Sequence, residues 1–404
     1  MNKIIAFLSV LFLTISTVSA QLEEPVLRDI LNFINKDSLK RTVQDLQDFE
    51  SRFCGQTIGH NRKVAQYLVD RLKNYGVENA QIDSFFVTYN GWAGSYAQHM
   101  YNVVGTLEGS GNTDSTVIIG AHLDAVSYPG NWPAVVLDEI VPGADDNATG
   151  CAVMIEMARV MHKYKLKPRH NIDFMAYDAE EIGLLGARYD AAKRYYANEN
   201  IIVMLNNDMV GHQPENEKWY VTLRTYDNSS DVTEKAVEAF NQYTTVTPVI
   251  SNIINSSASD SYAYYIHNFK ANFPIEYHFS PYYHKENDLV EYLNFEYCRQ
   301  IARMNFVLLD YYAELQLTEG FDRIPTQLIE AFPNPTKDII WVRNYSQVTI
   351  SKIEVYDITG RLLSSINDIQ QQQNKIILNK YSKGIYFVRI YSNIGIVNKK
   401  IIKN

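Results

Sequence analysis

The sequence predicts an α/β protein with a mixed, mostly parallel sheet, helices on both faces of that sheet, and a small β-sandwich after it. Strand-like and helix-like segments alternate through the first 330 residues, which is the pattern of a sheet covered by helices. Short alternating apolar runs separated by glycines follow residue 330. With 404 residues, 46% of them hydrophobic, the chain is long enough for one large core and an accessory domain.

Hydrophobic spacing predicts the elements of the first part. Residues 61–75 form a predicted helix, because apolar side chains recur at helical intervals and Gly76 stands where a C-terminal cap belongs. Buried strands are predicted at 116–120, 171–177 and 201–205, and helices at 148–162, capped by Asp146 or Asn147, and at 289–309. Clusters of acidic residues and histidine, described below, follow the ends of these strands, which is where open α/β sheets bind ligands.

The first twenty residues predict a cleaved export signal. A basic start, an apolar stretch at 4–18 and the pair Ser19-Ala20 are its three parts, with cleavage expected before Gln21. A membrane anchor is the alternative, but the stretch is short for about 30 Å of hydrocarbon, so we expect no membrane span in the mature protein. Three cysteines permit at most one disulfide, so packing must hold the fold.

Charge divides the chain near residue 330. Residues 331–404 carry 11 Lys and Arg against 4 Asp and Glu, a balance of +7. The whole chain has 37 Lys and Arg against 46 Asp and Glu, which leaves 26 basic and 42 acidic residues for residues 1–330, a balance of −16. An acidic body argues against a nucleic-acid partner, since such binding requires clustered Lys and Arg. We expect a signal at 1–20, a main domain at 21–318, a linker at 319–330 and a C-terminal domain at 331–404.

Four polar clusters and one histidine have the residue types of a metal site. They are His122 with Asp124, Asp145 with Asp146, Glu180 with Glu181, Asp208 after two asparagines, and His284 in a later loop. Taken singly, the clusters could be solvated turns or helix caps. Adjacent carboxylates held at a strand end favour a bound cation, and Asp124 could accept the second ring N–H of His122. His278 and His212 are the alternatives to His284.

Together these residues resemble the co-catalytic zinc aminopeptidases, which include bacterial leucyl aminopeptidase and whose wider clan contains glutamate carboxypeptidases and glutaminyl cyclases. The resemblance covers roughly residues 48–314 and implies the zinc exopeptidase fold with two zinc ions per chain. It implies the ligands His122, Asp145, Glu181, Asp208 and His284, with Asp145 bridging both ions. It also implies that Asp124 lies behind His122, that Glu180 is the general base, and that the Asp145-Asp146 peptide bond is cis.

The chemistry of these residue types agrees with that implication. Nitrogen and oxygen ligands without thiolates suit a hydrolytic zinc that keeps a position open for water. Two metals lower the pKa of bound water and polarise the scissile carbonyl, while an unligated Glu180 can carry the proton to the leaving amine. The sequence has no His-Glu-x-x-His motif.

One part of the sequence departs from the family. Ser261 stands where a Ser-Asp-His segment usually has its histidine, and residues 255–257 lack the tyrosine that several relatives place there to stabilise the oxyanion. The substrate carbonyl is then expected to be held by metal alone or by Tyr277, Tyr282 or Tyr283.

The C-terminal part has its own signature. Phe332-Pro333-Asn334-Pro335, the glycine turn at Gly360 and a basic end at 399–403 predict a small β-sandwich after the linker. The pattern resembles the C-terminal sorting domain of type IX secretion, which implies delivery to the cell surface or beyond through that machinery. A carbohydrate-binding or adhesive β-module is the alternative.

Three functions are therefore open. The leading hypothesis is a secreted zinc aminopeptidase acting on peptides with a free N-terminus. A glutaminyl-peptide cyclotransferase on the same scaffold is the second, although Asp146-Asn147 follows the peptidase form. A non-catalytic binding protein delivered by the C-terminal domain is the third.

Overall fold

The structure is a computed structural model that describes residues 22–54, 60–91, 94–111, 113–127, 140–318, 329–344, 349–367, 369, 373–392 and 395–404. The predicted signal, its cleavage point before Gln21 and the linker residues 319–328 lie outside the described residues.

The helices of the described residues all belong to the main domain. They are α1 (Glu24–Phe33), α2 (Lys36–Gln47), α3 (His60–Asn74), α4 (Gly150–Tyr164), α5 (Leu185–Tyr196), α6 (Ser230–Tyr243), α7 (Ser261–Tyr265) and α8 (Phe295–Ala313). Asn35 caps α2 by accepting the N–H groups of Asp37 and Ser38, and Asn294 caps α8 in the same way. Among these helices, none combines the length and apolar character that crossing a bilayer needs.

The strands of the main domain alternate with these helices along the chain. They are β1 (Gln81–Gly91), β2 (Gly94–Leu107), β3 (Ser115–His122), β4 (Leu166–Lys167), β5 (Asn171–Tyr177), β6 (Asn200–Asn206), β7 (Tyr220–Thr225), β8 (Thr247–Ile254), β9 (Ala271–Glu276) and β10 (Gln316–Leu317). The predicted strands correspond to β3, β5 and β6. The predicted helix at 289–309 starts later, at Phe295, because residues 290–292 form a separate 3-10 turn before the Asn294 cap.

The main sheet is mixed, with parallel strands at its centre. Its strand order is β1-β2-β5-β3-β6-β9-β7-β8. Strands β5, β3, β6 and β9 run parallel, whereas β2 and β7 join this block antiparallel from either side. The short strands β4 and β10 pair separately.

Helices cover both faces of this sheet, as predicted. Along β3, Val117 and Ile119 pack into the core shared by α1, α2, α3, α4, α6 and α8, whereas Ile118 packs into the core shared by α5 and α7. This alternation follows from the two-residue period of a strand, and it makes the main domain three layers thick. Cys54, Cys151 and Cys298 are buried free thiols, so the fold is held by packing.

The C-terminal part consists of two antiparallel sheets around their own core. Strands β11 (Ile329–Phe332), β12 (Ile339–Asn344) and β15 (Gln373–Ile377) form one sheet. Strands β13 (Ile350–Asp357), β14 (Leu362–Ile366), β16 (Gly384–Ser392) and β17 (Gly395–Lys403) form the other in the order β14-β13-β16-β17. Ile340 of the first sheet and Val388 of the second lie in one buried cluster, as a β-sandwich requires.

Candidate metal centre

The polar clusters meet at the carboxyl edge of the central parallel strands. His122 is the last residue of β3, Glu180 and Glu181 follow β5, and Asp208 follows β6. Because β3 lies between β5 and β6 in the sheet, the residues that end or follow these three strands lie at the same place on the sheet edge.

Two groups of three side chains could each hold a metal ion, and they share one aspartate. The first group is His122, Asp146 and Asp208, and the second is Asp146, Glu181 and His284; within each, the ligand atoms lie within 4.8 Å of one another. His122 Nε2 lies 3.2 Å from Asp146 Oδ1, and His284 Nε2 lies 3.1 Å from Asp146 Oδ2. Each oxygen of the Asp146 carboxylate therefore faces a different group.

Asp145, which the resemblance implied as the ligand that bridges two metals, belongs to neither of these groups. The Asp145 carboxylate instead accepts the backbone N–H of Gly211 at 2.9 Å and lies 3.4 Å from the hydroxyl of Thr149. The backbone departs from helical angles at Asp146 (φ −104°, ψ 93°), so adjacent side chains point to different sides of the turn. The cis peptide bond is Asp146-Asn147, one residue later than expected. Two adjacent aspartates in a sequence do not show which of the two carboxylates faces the histidines.

Asp124 supports both His122 and the segment that carries Glu180. His122 Nδ1 donates to the backbone carbonyl of Asp124 at 3.1 Å and lies 3.5 Å from its carboxylate. The same carboxylate accepts the N–H groups of Glu180 at 3.0 Å and Glu181 at 3.3 Å. Asp124 thus fixes the orientation of the imidazole and the end of β5 together.

His284 is the histidine that reaches the centre from the later loops. Its Nε2 lies 3.0 Å from Glu181 Oε2 as well as beside Asp146. The alternative His278 pairs with Glu217 at 3.0 Å, and neither it nor His212 belongs to either group of the described residues.

The centre concentrates negative charge away from water. Burial raises the pKa of Glu181 to about 7 and raises that of Glu180 well above its usual range. Burial alone disfavours the charged form of His284, but the Glu181 and Asp146 carboxylates raise its pKa to about 10. Burial also opposes ionisation of Asp146, yet its hydrogen bonds with His122 and His284 hold its pKa below the usual range. Such a set of groups takes up protons unless a cation supplies the positive charge.

The donor set fits zinc. Each group combines one imidazole nitrogen with two carboxylates and contains no thiolate. Glu181 Oε1 is buried without a hydrogen-bond partner, which leaves a ligand oxygen available.

Residues that the sequence did not single out hold the Asp146 turn in place. The buried guanidinium of Arg52 donates to the carbonyls of Leu123 at 2.9 Å and Gly143 at 2.6 Å, and also to those of Leu46 and Pro142. On the other side, the Asp288 carboxylate accepts the N–H groups of Asp145 and Asp146. Asp288 lies four residues after His284 in the sequence, but this spacing alone does not predict that Asp288 binds the backbone of the Asp146 turn.

The sequence also did not single out Asp260, whose carboxylate is fully buried with neither oxygen in a hydrogen bond. Its neighbour Ser261, which replaces the family's usual histidine, bonds to the hydroxyl of Tyr226 at 2.8 Å.

Of the three candidate tyrosines, Tyr283 lies at the centre. Its ring stacks on the His284 imidazole with centroids 3.6 Å apart. Tyr282 stacks on Tyr292 at 4.2 Å, and Tyr277 packs against Tyr220 at 5.2 Å. Burial raises the pKa of the Tyr283 phenol, and the carboxylates of the centre raise it further. Its hydroxyl therefore keeps its proton and is available as a donor.

A parallel-sheet edge that carries two histidine-carboxylate groups with a shared aspartate, and a further glutamate beside them, defines an α/β metallohydrolase. The chain belongs to Peptidase family M28, whose sequence model matches residues 102–309. Residues 330–404 match the model of the secretion system C-terminal sorting domain. These matches confirm the predicted family, fold class and sorting domain, and the protein is an exported zinc peptidase.

Two proteins similar to this chain are named as peptidases. A "Probable leucine aminopeptidase" of Arthroderma otae is 26% identical over 302 residues, which cover 72% of this chain and 76% of that protein. A "Probable zinc metalloprotease" of Pyrenophora teres f. teres is 32% identical over 214 residues, which cover 48% of this chain and 44% of that protein.

Solved structures show the same fold. LapB from Legionella pneumophila superposes with a TM-score of 0.59 at 22% identity, covering 72% of this chain and 75% of LapB. An aminopeptidase from Aneurinibacillus sp. strain AM-1 gives 0.56 at 17% identity, covering 72% of this chain and 97% of that protein.

Proposed function

We propose that this exported peptidase is a two-zinc aminopeptidase that removes residues from the free N-terminus of peptides. The observation that carries the proposal is the Asp146 carboxylate, which presents one oxygen to His122 and the other to His284. The relatives named as leucine aminopeptidases support the choice of substrate end.

In this proposal Asp146 would be a ligand shared by both ions. His122 and Asp208 would hold one ion with it, and Glu181 and His284 would hold the other. When bound, the metals supply an acidified water and a polarised carbonyl. Asp145, proposed from the sequence as the bridge, anchors the turn to Gly211 instead.

Glu180 is the proposed general base and then general acid. It lies beside the two groups but belongs to neither, and its backbone N–H is held by Asp124. Burial raises its pKa, which makes the carboxylate a stronger base for the proton of the attacking water, and the protonated group can then deliver that proton to the leaving amine.

Tyr283 is the proposed donor to the substrate carbonyl. It is the tyrosine stacked on His284, it is partly exposed, and its phenol is protonated. A donor aimed at the oxygen that gains charge in the transition state stabilises that state more than the bound substrate.

The test uses the zinc-loaded protein and three matched peptides that begin with a free amine, an acetylated residue or glutamine, with products identified by mass. We expect release of the first residue from free-amine peptides only. Cleavage of the acetylated peptide at the same rate would rule out aminopeptidase action, and a cyclised glutamine product would identify a cyclotransferase.

Glu180→Gln tests the role of the base. We expect about 10²–10⁴-fold lower kcat with unchanged zinc content, because Glu180 is outside both ligand groups. Glu286→Gln is the matched control, since Glu286 is an exposed glutamate two residues after His284. Equal activity of the two variants would remove Glu180 from the mechanism.

A further inference from the structure

Asp288 joins the two loops that carry Asp146 and His284. It is almost fully buried, and both of its carboxylate oxygens lie 3.0 Å from the backbone nitrogen of Asp145. Its Oδ2 also accepts the N–H of Asp146 at 3.0 Å. The Asp288 backbone carbonyl accepts the N–H of Ala144 at 3.0 Å, so three consecutive N–H groups of the turn end on one residue.

The same residue is tied to His284 through a short turn. The Asp288 N–H donates to the carbonyl of Lys285 at 3.1 Å, and Lys285 directly follows His284. His284 itself has a positive φ of 55° and lies in the loop after β9, outside the helices and strands. The Asp288 contacts thus tie the loop that carries His284 to the turn that carries Asp146.

The two ligand groups depend on Asp288 to different degrees. In the first group, His122 ends strand β3 and is held by Asp124, and Asp208 follows strand β6. In the second group, His284 lies in a loop, and Asp288 connects this loop to the turn that carries Asp146. Asp146 belongs to both groups, but only the second group also takes a ligand from the His284 loop, so we expect freeing this loop to disturb the second group more than the first.

We propose that Asp288 is a positioning residue that sets Asp146 against His284, so that its loss weakens the Asp146-Glu181-His284 site before the His122-Asp146-Asp208 site. This inference rests on the proposed two-zinc function. It predicts that the two ions of one chain are released separately when the Asp288 contacts are removed.

The experiment measures zinc per chain by mass spectrometry after dialysis against increasing chelator. Asp288→Leu removes both acceptor oxygens while keeping the number and branching of the side-chain heavy atoms, and Asp288→Asn retains one oxygen. We expect Asp288→Leu to release one zinc at about tenfold to a hundredfold lower chelator than the natural protein and to keep the other, with Asp288→Asn intermediate. Circular dichroism and thermal unfolding report whether each variant is folded.

Asp310→Leu is the matched control. Asp310 is also a buried aspartate that accepts a backbone N–H, from Leu22 at 3.2 Å, but it lies on α8 outside both ligand groups. We expect this variant to keep both ions like the natural protein.

Retention of both ions by Asp288→Leu, or loss of both at one chelator concentration, would overturn the inference. If Asp288→Leu does not fold, Asp288→Asn is judged by the same two outcomes. A natural protein that binds fewer than two zinc ions contradicts the proposed two-zinc function instead, so the two failures are distinguishable.

Discussion

The candidate ligands of the metal centre lie on two kinds of backbone. His122, Glu181 and Asp208 lie at or just after the ends of parallel strands, whereas Asp146 and His284 lie in a non-helical turn and a loop. Strand ends are positioned by the sheet ladder itself. The turn and the loop are positioned by side chains that bind their backbone, namely Arg52 and Asp288.

This difference shows where a ligand can be assigned from sequence and where it cannot. A residue at a strand end has its location fixed by the hydrophobic pattern of the strand. The direction of a side chain in a turn is fixed by backbone angles. Those angles are imposed by residues that are close in space but distant in the sequence. The choice between Asp145 and Asp146 is the sharpest case.

Asp146→Asn is expected to have the largest effect on activity. It removes charge from the carboxylate that faces both His122 and His284, so we expect zinc content to fall. Loss of a general base lowers activity about 10²–10⁴-fold, and we expect a larger loss here. Zinc content and kcat/KM on a free-amine peptide are the measurements.

Asp145→Asn is the matched variant on the adjacent residue. An amide oxygen can still accept the N–H of Gly211, so we expect both zinc ions to remain and activity to stay within about tenfold of the natural protein. The reverse result, with Asp145→Asn losing zinc and Asp146→Asn keeping it, would restore the bridge expected from the sequence.

Tyr283→Phe is expected to have the next largest effect. Removing one donor to a developing oxyanion costs about 10²–10³-fold in kcat, and KM and zinc content should change little. Tyr282→Phe serves as its control, because the Tyr282 ring stacks on Tyr292 away from both ligand groups. A loss shared equally by the two variants would indicate a packing role for the loop.

Much of the fold was predictable because it follows from local patterns. The strands β3, β5 and β6 are runs of buried apolar residues, and α3 ends at Asn74, just before Gly76 with its positive φ of 81°. The start of α8 was misplaced, since an apolar pattern continues through the 3-10 turn at 290–292 and the cap at Asn294 is a side-chain contact.

The candidate site was predictable in its residue types and less so in its supports. His122, Glu181, Asp208 and His284 meet in the two groups as the resemblance implied. The roles of Arg52 and Asp288 depend on hydrogen bonds to backbone groups 71 and 143 residues away, which no periodicity in the sequence reports.

A scaffold carboxyl far from the centre gives the smallest expected effect, seen in stability and not in activity. Burial raises the pKa of Asp310 to about 7, although its bond from the Leu22 N–H opposes this. A carboxyl whose folded pKa lies above its unfolded value contributes stability below the unfolded pKa and loses it as pH rises through the folded pKa. The free energy of unfolding should therefore fall between about pH 4 and pH 7 on account of Asp310.

Asp310→Asn isolates this contribution, because the amide cannot ionise. Between pH 4 and pH 8 we expect the unfolding free energy of Asp310→Asn to gain roughly 3–4 kcal/mol on that of the natural protein, because a shift of one pKa unit corresponds to about 1.4 kcal/mol. The difference should persist in the zinc-loaded protein, since Asp310 belongs to neither ligand group. Denaturant unfolding at both pH values is the measurement. A difference independent of pH would mean that Asp310 titrates normally, and one abolished by zinc would couple α8 to the metal centre.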